Sequence, residues 1–389
     1  MYEKIRIFLC ENFGFLDLKL SFRIELRSRK LQKSTMTFDI AAIGAGLAGL
    51  TSAAQLQQAG YNVVVVEKSR GLGGRVATRR IPNHRADFGA RYLEANGRLV
   101  SLLLEILRDR QIVQLWTEAS HRWDGNLIPD PPRPHYVPPN GMNEIGKFLG
   151  RGTRVWFSRR ACQLTPQADN TWHLSLEAVA DGSDAPLELT AKAVILAVPA
   201  PQALEILADT PGLPEEFRNN LAEVEYNPCI TAIAKYPNDR PLPDWVSVNF
   251  PPETDLSWVG LDSSKRPNTQ QPVFVVHSSA DFARSHLNTT NLEAPGRELL
   301  DRASNYLLPW LSEPEFLQVH RWRYAFTSQP WRRDCLAATT PLPLVCCGDW
   351  CGTRQIETAL RSGLAAASIT NSQLQQEVLS PIRQVWQSL

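Results

Sequence analysis

The stretch from Phe38 to Lys68, FDIAAIGAGLAGLTSAAQLQQAGYNVVVVEK, limits the possible folds more than any other part of the chain. Asp39–Ile43 reads as a short buried strand. Leu47–Gln58, rich in Ala and Leu, reads as a helix that Gly60 ends. Val63–Val66 reads as a second buried strand of β-branched residues. Between strand and helix, Gly44, Gly46 and Gly49 form G-x-G-x-x-G, with Ala45 inside the turn. Gly44 permits the tight turn, Gly46 lets backbone approach a pyrophosphate, and Gly49 lets helix and strand close together. The free N–H groups of the helix start then face the phosphates. Glu67 closes the second strand 18 residues beyond Gly49. A carboxylate there accepts hydrogen bonds from both ribose hydroxyls and repels a 2′-phosphate. In this strand–turn–helix–strand–acid context the pattern predicts a bound dinucleotide. The alternative is a structural glycine-rich turn.

Residues 68–80, KSRGLGGRVATRR, follow at once. Gly71, Gly73 and Gly74 allow close backbone approach, and Lys68, Arg70, Arg75, Arg79 and Arg80 surround them with positive charge. Such a loop can cover the second side of a pyrophosphate, which a simple nicotinamide dehydrogenase does not need. Arg75, directly behind the double glycine, is the strongest phosphate candidate and Arg80 the weakest. A solvated basic face is the competing reading.

The rest of the composition mainly excludes. The chain has 389 residues, enough for two domains, with 41 basic and 40 acidic side chains and a net charge of +1. No basic block or uniform field suits a nucleic acid. No run of 18 apolar residues suits a spanning helix. Seven cysteines are scattered at Cys10, Cys162, Cys229, Cys335, Cys346, Cys347 and Cys351 without a disulfide framework. Cys347 and Cys351 are at most half a metal site, so no metal is expected. No Lys follows Lys265, so the distal third has no lysine to act as a base.

Residues 1–35 differ from the body, with eight basic and four acidic side chains against 33 and 36 in the remainder. Leu16 to Leu26 alternate with polar residues, which is strand-like. No signal-peptide order is present, and a cytoplasmic location is the expectation. Met36 reads as a candidate native start, with 1–35 an upstream translation. An added strand or short targeting segment is the alternative.

The segments GAGLAGL, EKSRGLGGRVATRR and ADFGARY together resemble the renalase branch of the FAD-dependent amine oxidase superfamily, over about residues 38–367. YVPPNGMNEIGKFL (136–149), AVILAVPAPQALEIL (193–207) and, approximately, VHRWRYAFTSQP (319–330) carry the branch likeness. The resemblance implies an α/β fold: a Rossmann-like FAD-binding domain of the amine oxidase/glutathione reductase type with an inserted α+β substrate domain. The FAD domain would take 36–95, 144–207 and 338–370. The substrate domain would take 96–143 and 208–337, and 371–389 would be a loosely packed tail.

Local patterns agree with such an architecture. Helices are expected at Leu99–Arg108, Asn143–Leu149, from Pro201 to about Leu207, at Glu293–Leu311 and at Gln355–Ile369. Short strands at Thr153–Phe157, Cys162–Leu164, Trp172–Ala178 and Leu187–Leu189 suggest an antiparallel meander, with a separate buried strand at Ala193–Ala197. Further strands are expected at Trp258–Leu261, Val273–His277 and Leu344–Cys347.

CCGDWCGTRQIETALRSGLAAA (346–367) reads as a flavin motif. A helix starting near Arg354 would aim its N–H groups at the flavin edge. Gly348, Asp349, Gln355 and Ile356 are placed there, Asp349 accepting from a ribityl hydroxyl or serving as a plain turn residue. Glu357, Ser362 and Gly363 match the superfamily pattern, though Gly363 has helix packing as an alternative. Ala161, in the meander, completes the cofactor set. The cysteine spacing differs from that of the covalent branch, so the resemblance implies non-covalent FAD.

Substrate-pocket candidates are Trp322 and Tyr324, alternating with Arg321 and Arg323 in HRWRYA, together with His277, Arg91 and Tyr92. Core packing for Trp322 and a structural role for His277 are the alternatives. Lys265 reads as part of a polar SSKRPN loop. Arg91 stands where the family usually has Gln. The resemblance implies oxidation of 2- and 6-dihydro isomers of NAD(P)H to NAD(P)+, with O2 as acceptor giving H2O2. An FAD-dependent amine oxidase or hydrocarbon dehydrogenase is the alternative, and a non-catalytic flavin-binding protein a third reading. The expected partners are a small-molecule substrate and O2.

Overall fold

The structure, a computed structural model, describes residues 36–179, 185–267, 271–353 and 355–389. The expectations for residues 1–35 and for Arg354 lie outside the described residues. From Thr37 onward the chain forms one unit.

Two large sheets organise it. In the first, Met36–Ile43 runs parallel to Val63–Val66, with Ile40 opposite Val63 and Ile43 opposite Val66. Arg154–Trp156 continues the parallel ladder on the far side of Val63–Val66. All four valines are buried, as strands covered on both faces require. On the other side of Met36–Ile43 lies Glu188–Leu196. The sequence reading split this last strand into Leu187–Leu189 and Ala193–Ala197. The structure has one continuous strand from Glu188 to Leu196. Its first half pairs antiparallel with Trp172–Ala178, and Val194–Leu196 pairs parallel with Leu344–Cys346. The intervening Thr190, Ala191 and Lys192 keep the in–out alternation, so no turn interrupts them. Arg159–Pro166 completes the expected meander.

The helix Leu47–Gln58 is buried along nearly its whole length and packs against the 19-residue helix Gln355–Gln373. A Cβ on Gly363 would lie 2.4 Å from the Ala48 carbonyl oxygen. Gly363 is therefore needed for helix contact, the packing alternative noted above.

The second sheet runs in the order Phe316–Gln329, Glu225–Lys235, Val273–Ser278, Leu256–Leu261, Ser247–Asn249, His121–Trp123 and Leu127–Pro129. Its two faces separate by strand alternation. Ile230, Ala232, Ala234 and Val276 face a core shared with the helix Glu293–Tyr306. Ile233, Val275, Trp258 and Trp322 face the other way, toward Phe88. Register places Cys229 opposite Trp322 and Thr231 opposite His277. The sheet thus presents three chemically useful side chains from three strands on one face.

Three expectations are corrected. The helix from Glu293 ends at Tyr306, and Pro309 opens a separate 3-10 turn to Ser312. The tail is not loose: Ile382–Ser388 is helical, and Trp386 is fully buried in the core around the first sheet. Lys265 is not in a solvated loop but is fully buried.

Candidate active site

The first sheet and its glycine turn open into a cleft of about 1150 Å³. That exceeds the few hundred Å³ to roughly 1,000 Å³ of ordinary ligand sites and suits a dinucleotide plus a second molecule. Gly44 sits at φ +103°, and a Cβ there would meet the Ala197 carbonyl oxygen at 2.6 Å. A Cβ on Gly49 would meet the Gly44 carbonyl oxygen at 2.0 Å. Gly46, by contrast, faces open space, with nothing within 4 Å, and lines the cleft. The helix it caps has no side-chain cap and no acid in its first turn. Unfilled N–H groups over empty space fit a pyrophosphate.

Glu67 ends the second strand beside this turn. Its Oε2 accepts from the Ala45 N–H at 2.7 Å and its Oε1 from the Ser69 N–H at 2.8 Å. The carboxylate is fixed and lines the cleft. Gly73 donates to the Ala45 carbonyl at 2.8 Å, laying the second glycine loop over the first. Gly73, Gly74 and Lys68 line the cleft, and Ala161 does so from the meander.

Arg75 lines the cleft with about 32% of its side chain exposed and is tied down at the same time. It pairs with Asp349 at 2.5 Å and donates to the Tyr324 and Ala325 carbonyls at 3.3 Å each. Burial works against its charge, but Asp349 outweighs it and stabilises the guanidinium. Arg75 is thus a strut joining the glycine loop, the Asp349 turn and the long strand of the second sheet.

At the carboxyl-terminal motif, Gly348, Asp349, Gln355 and Ile356 line the cleft. Gly348 donates to Ser362 Oγ at 2.9 Å. Glu357 faces elsewhere: it accepts from the Leu99 and Val100 N–H groups at 3.1 and 2.8 Å, capping the helix Arg98–Asp109.

The opposite wall is built by Phe88, Gly89 and Ala90 together with Cys229, His277, His320, Trp322 and Tyr324. Trp322 stacks on Phe88 with centroids 5.0 Å apart and 25° between planes, and its Nε1–H donates to the Phe88 carbonyl at 3.1 Å. His320 meets both rings edge-on. Burial, then Arg79 and Arg321, bring its pKa down to about 4. Burial, then Arg91 and Lys265, hold His277 well below the ordinary histidine value. Tyr324 packs edge-on against Tyr226.

Two pocket candidates lie outside the cleft lining. Tyr92 stacks on His135 at 3.8 Å and 12°, near Trp116. Arg91 stands one side chain behind the wall, against His277. The two arginines of HRWRYA both line the cleft. Arg321 donates to the His286 and Thr289 carbonyls, and Arg323 is exposed.

Sequence reasoning missed a buried charge cluster beneath the wall. Lys265 Nζ lies 2.8 Å from Asp262 Oδ1 and 3.4 Å from Asp87 Oδ2, while Arg266 pairs with Asp262 at 2.7 Å and Asp87 at 2.9 Å. Both carboxylates and Lys265 are fully buried. The local string SSKRPN carries no apolar pattern that would reveal this. Phe88 and Cys229 were also missed. Among the described residues, no cluster of His, Cys, Asp or Glu suits a metal ion.

A two-sheet molecule whose glycine turns open such a cleft belongs with the flavin-binding oxidoreductases. Residues 43–106 match an NAD(P)-binding Rossmann-like domain, and residues 117–370 match the family described as flavin containing amine oxidoreductase. The chain belongs to that family. A Mycobacterium tuberculosis protein provisionally named a flavin-containing monoamine oxidase, AofH, is 27% identical over 162 residues, 37% of this chain and 34% of that protein. This chain thus spans about a third of that curated relative's length. Putrescine oxidase bound to putrescine superposes with a TM-score of 0.65 at 16% identity, covering 86% of this chain and 99% of that one. Cyclohexylamine oxidase from Brevibacterium oxydans gives 0.61 at 13% identity, covering 86% and 99%. These likenesses show the fold. No described helix is long and apolar enough to cross a membrane.

Proposed function

We propose that the chain binds FAD without a covalent bond and oxidises the 2- and 6-dihydro isomers of NAD(P)H. The overall change is NAD(P)H + H+ + O2 giving NAD(P)+ + H2O2. A bound flavin would supply the hydride acceptor at N5.

The observation that carries this reading is the charge of the wall opposite the glycine turns. Its titratable groups are His277, His320, Cys229 and Tyr324. Burial keeps both histidines neutral and the thiol and phenol protonated. No carboxylate stands among them. Among the cleft's acids, Glu67 lies at the nucleotide turn, Asp349 on Arg75 and Glu177 against Arg160, while Glu205 on the helix Ala200–Leu207 is near enough to raise the Tyr324 phenol. Hydride loss from a dihydropyridine needs no base. The residues then have only to hold a flat ring and exclude water. Trp322 and Phe88 offer the stacking surface, and Arg79, Arg321 and Arg323 line the cleft beside them, where an anionic substrate is favoured over a cation.

Cys346, Cys347 and Cys351 are buried and absent from the cleft lining. Burial pushes the Cys346 and Cys347 thiols well up and Cys351 to about 12. None is placed or ionised to form a thioether, which supports non-covalent binding.

Amine oxidation is the second reading. The aromatic group Phe88, Trp322, Tyr324 and Tyr226 favours it, as do the names of the structural neighbours. Against it, Lys265 is engaged by Asp262 and Asp87, leaving no lysine on the wall. An anaerobic stopped-flow comparison of borohydride-treated NAD+ with a panel of primary amines and polyamines separates the two by which one bleaches the flavin.

A further inference from the structure

Arg79 stands at the aromatic end of the cleft. It comes from the hairpin strand Thr78–Ile81 and pairs there with Ala86, just ahead of Phe88. Its guanidinium carbon lies over the Phe88 ring, 4.8 Å from the centroid. Stacking engages the face of a guanidinium and leaves its in-plane N–H donors free. Here the protein takes up none of them. Nε is buried with no acceptor. The two Nη groups, also without a protein acceptor among the described residues, stay accessible on a half-buried side chain that lines the cleft.

Other arginines of the cleft are engaged. Arg75 pairs with Asp349, Arg160 with Glu177, and Arg321 gives Nη1 to the His286 and Thr289 carbonyls. Beside the hairpin, the Asp87 carboxylate is answered by Lys265 and Arg266. No ion pair of Arg79 is present among the described residues. Burial first, and then Arg79 and Arg321, keep the nearby His320 neutral, so positive charge at this end of the cleft goes unbalanced. An exposed arginine without a partner is ordinary. A half-buried one has given up hydration without gaining an acceptor, and the group whose geometry matches its free edge is an oxyanion.

We propose that Arg79 is an anion subsite on the substrate side of the cleft, and that its free N–H edge receives the 5′-phosphate of a nicotinamide nucleotide. Two ring contacts, 4.8 and 5.0 Å, separate the guanidinium carbon from the Trp322 ring. A ribose and its 5′-phosphate cover that span when the nicotinamide ring lies against Trp322. The glycine turns that suit the cofactor's pyrophosphate lie across the cleft from the Phe88 wall, which assigns Arg79 to the substrate. The proposal rests on the ring-oxidising function above and narrows its substrates to phosphorylated forms, the nucleotide being preferred over its riboside.

The test uses the full-chain holoenzyme with the variants R79Q and R79K. Binding of nicotinamide mononucleotide and of nicotinamide riboside is read from flavin difference spectra. Wild type should prefer the mononucleotide by at least about tenfold, as charge-assisted hydrogen bonds imply. R79Q should lose that preference by weakening the mononucleotide, with the riboside bound no more weakly than before. R79K, which keeps the charge without the planar fork, should recover part of it. Flavin content should be unchanged in both variants. A preference unaltered in R79Q, or equal weakening of both ligands, overturns the proposal. Loss of flavin from R79Q overturns it by assigning Arg79 to the cofactor. If neither nicotinamide compound perturbs the wild-type flavin, the proposed function fails and the nucleotide assignment with it. The anion subsite is then judged separately by phosphorus-31 line broadening of inorganic phosphate. Broadening in wild type that R79Q abolishes supports the subsite, and equal broadening in the two overturns it.

Discussion

Arg75 and Asp349 meet at 2.5 Å across the nucleotide cleft, tying the loop after Glu67 to the turn before the last long helix. The two residues lie 274 positions apart, and the Tyr324 and Ala325 carbonyls hold the same guanidinium. The cofactor side and the substrate side of the cleft therefore share one strut.

Replacing Arg75 with Met leaves Asp349 without its counter-charge and frees the glycine loop. Flavin affinity should fall at least about tenfold, since a hydrogen-bonded charged pair contributes more than a neutral one. Arg75→Lys should recover only part, because an ammonium cannot reach Asp349 and two carbonyls as a planar fork does. Ultrafiltration of the holoenzyme at graded dilution measures this, and unchanged retention in both variants would count against the strut.

Glu67→Ala removes the acceptor proposed for the ribose hydroxyls and strands the Ala45 and Ser69 N–H groups. Flavin affinity should drop at least about tenfold, and the flavin-free protein should melt lower as well. Loss of affinity with no change in apoprotein melting would show that the backbone contacts contribute little.

Trp322→Ala tests the wall. Trp322 is only half-buried, and its stack on Phe88 faces the cleft. The expected result is retained flavin, a modest drop in melting temperature and much slower flavin reduction by the dihydro isomer. A drop approaching the roughly 3–5 kcal/mol of a fully buried aromatic, with unchanged reduction, would make Trp322 a core residue.

The parts of this fold visible in sequence were those with local periodicity. Leu47–Gln58, Val63–Val66, Asn143–Leu149 and Trp172–Ala178 carry their own pattern and were legible to the residue. The strand Glu188–Leu196 was misdivided because each half pairs with a different neighbour, and only tertiary pairing joins them. Trp322, Tyr324 and His277 were legible as chemistry, but their shared face depends on register between distant strands, with Thr231 beside His277, 46 positions away, and Cys229 beside Trp322, 93 positions away. Lys265 was illegible because its burial depends on Asp87, contributed from 178 residues away. The pairing of Arg75 with Asp349 was illegible for the same reason, its partner lying 274 positions away.

Lys265 supports a stability prediction. Lys265→Met leaves Asp87 and Asp262 buried with Arg266 as their remaining cation. Breaking such a cluster from one side costs roughly 3–5 kcal/mol, read as a lower denaturant midpoint. Adding Asp262→Asn should restore part of the loss, by removing the charge left unpaired. A neutral single substitution would show that Arg266 alone suffices.

Acid stability should report the two wall histidines. Both have folded pKa values below the unfolded value of roughly 6.5, His320 at about 4 and His277 in the same direction. The unfolded chain therefore binds more protons over that window. Stability is full above about pH 6.5 and declines as pH falls toward 4. His320→Gln should flatten the decline between pH 6.5 and 4 in chemical denaturation. An unchanged slope would place His320 in water.

The most direct test is anaerobic flavin bleaching by the purified holoenzyme, with borohydride-treated NAD+ in one arm and putrescine, benzylamine and cyclohexylamine in the other. A wall of stacked rings and neutral histidines flanked by arginines predicts rapid bleaching by the dihydronicotinamide isomers and slow or absent bleaching by the amines, with H2O2 formed when air is admitted. Rapid bleaching by an amine and none by the isomers would contradict the account.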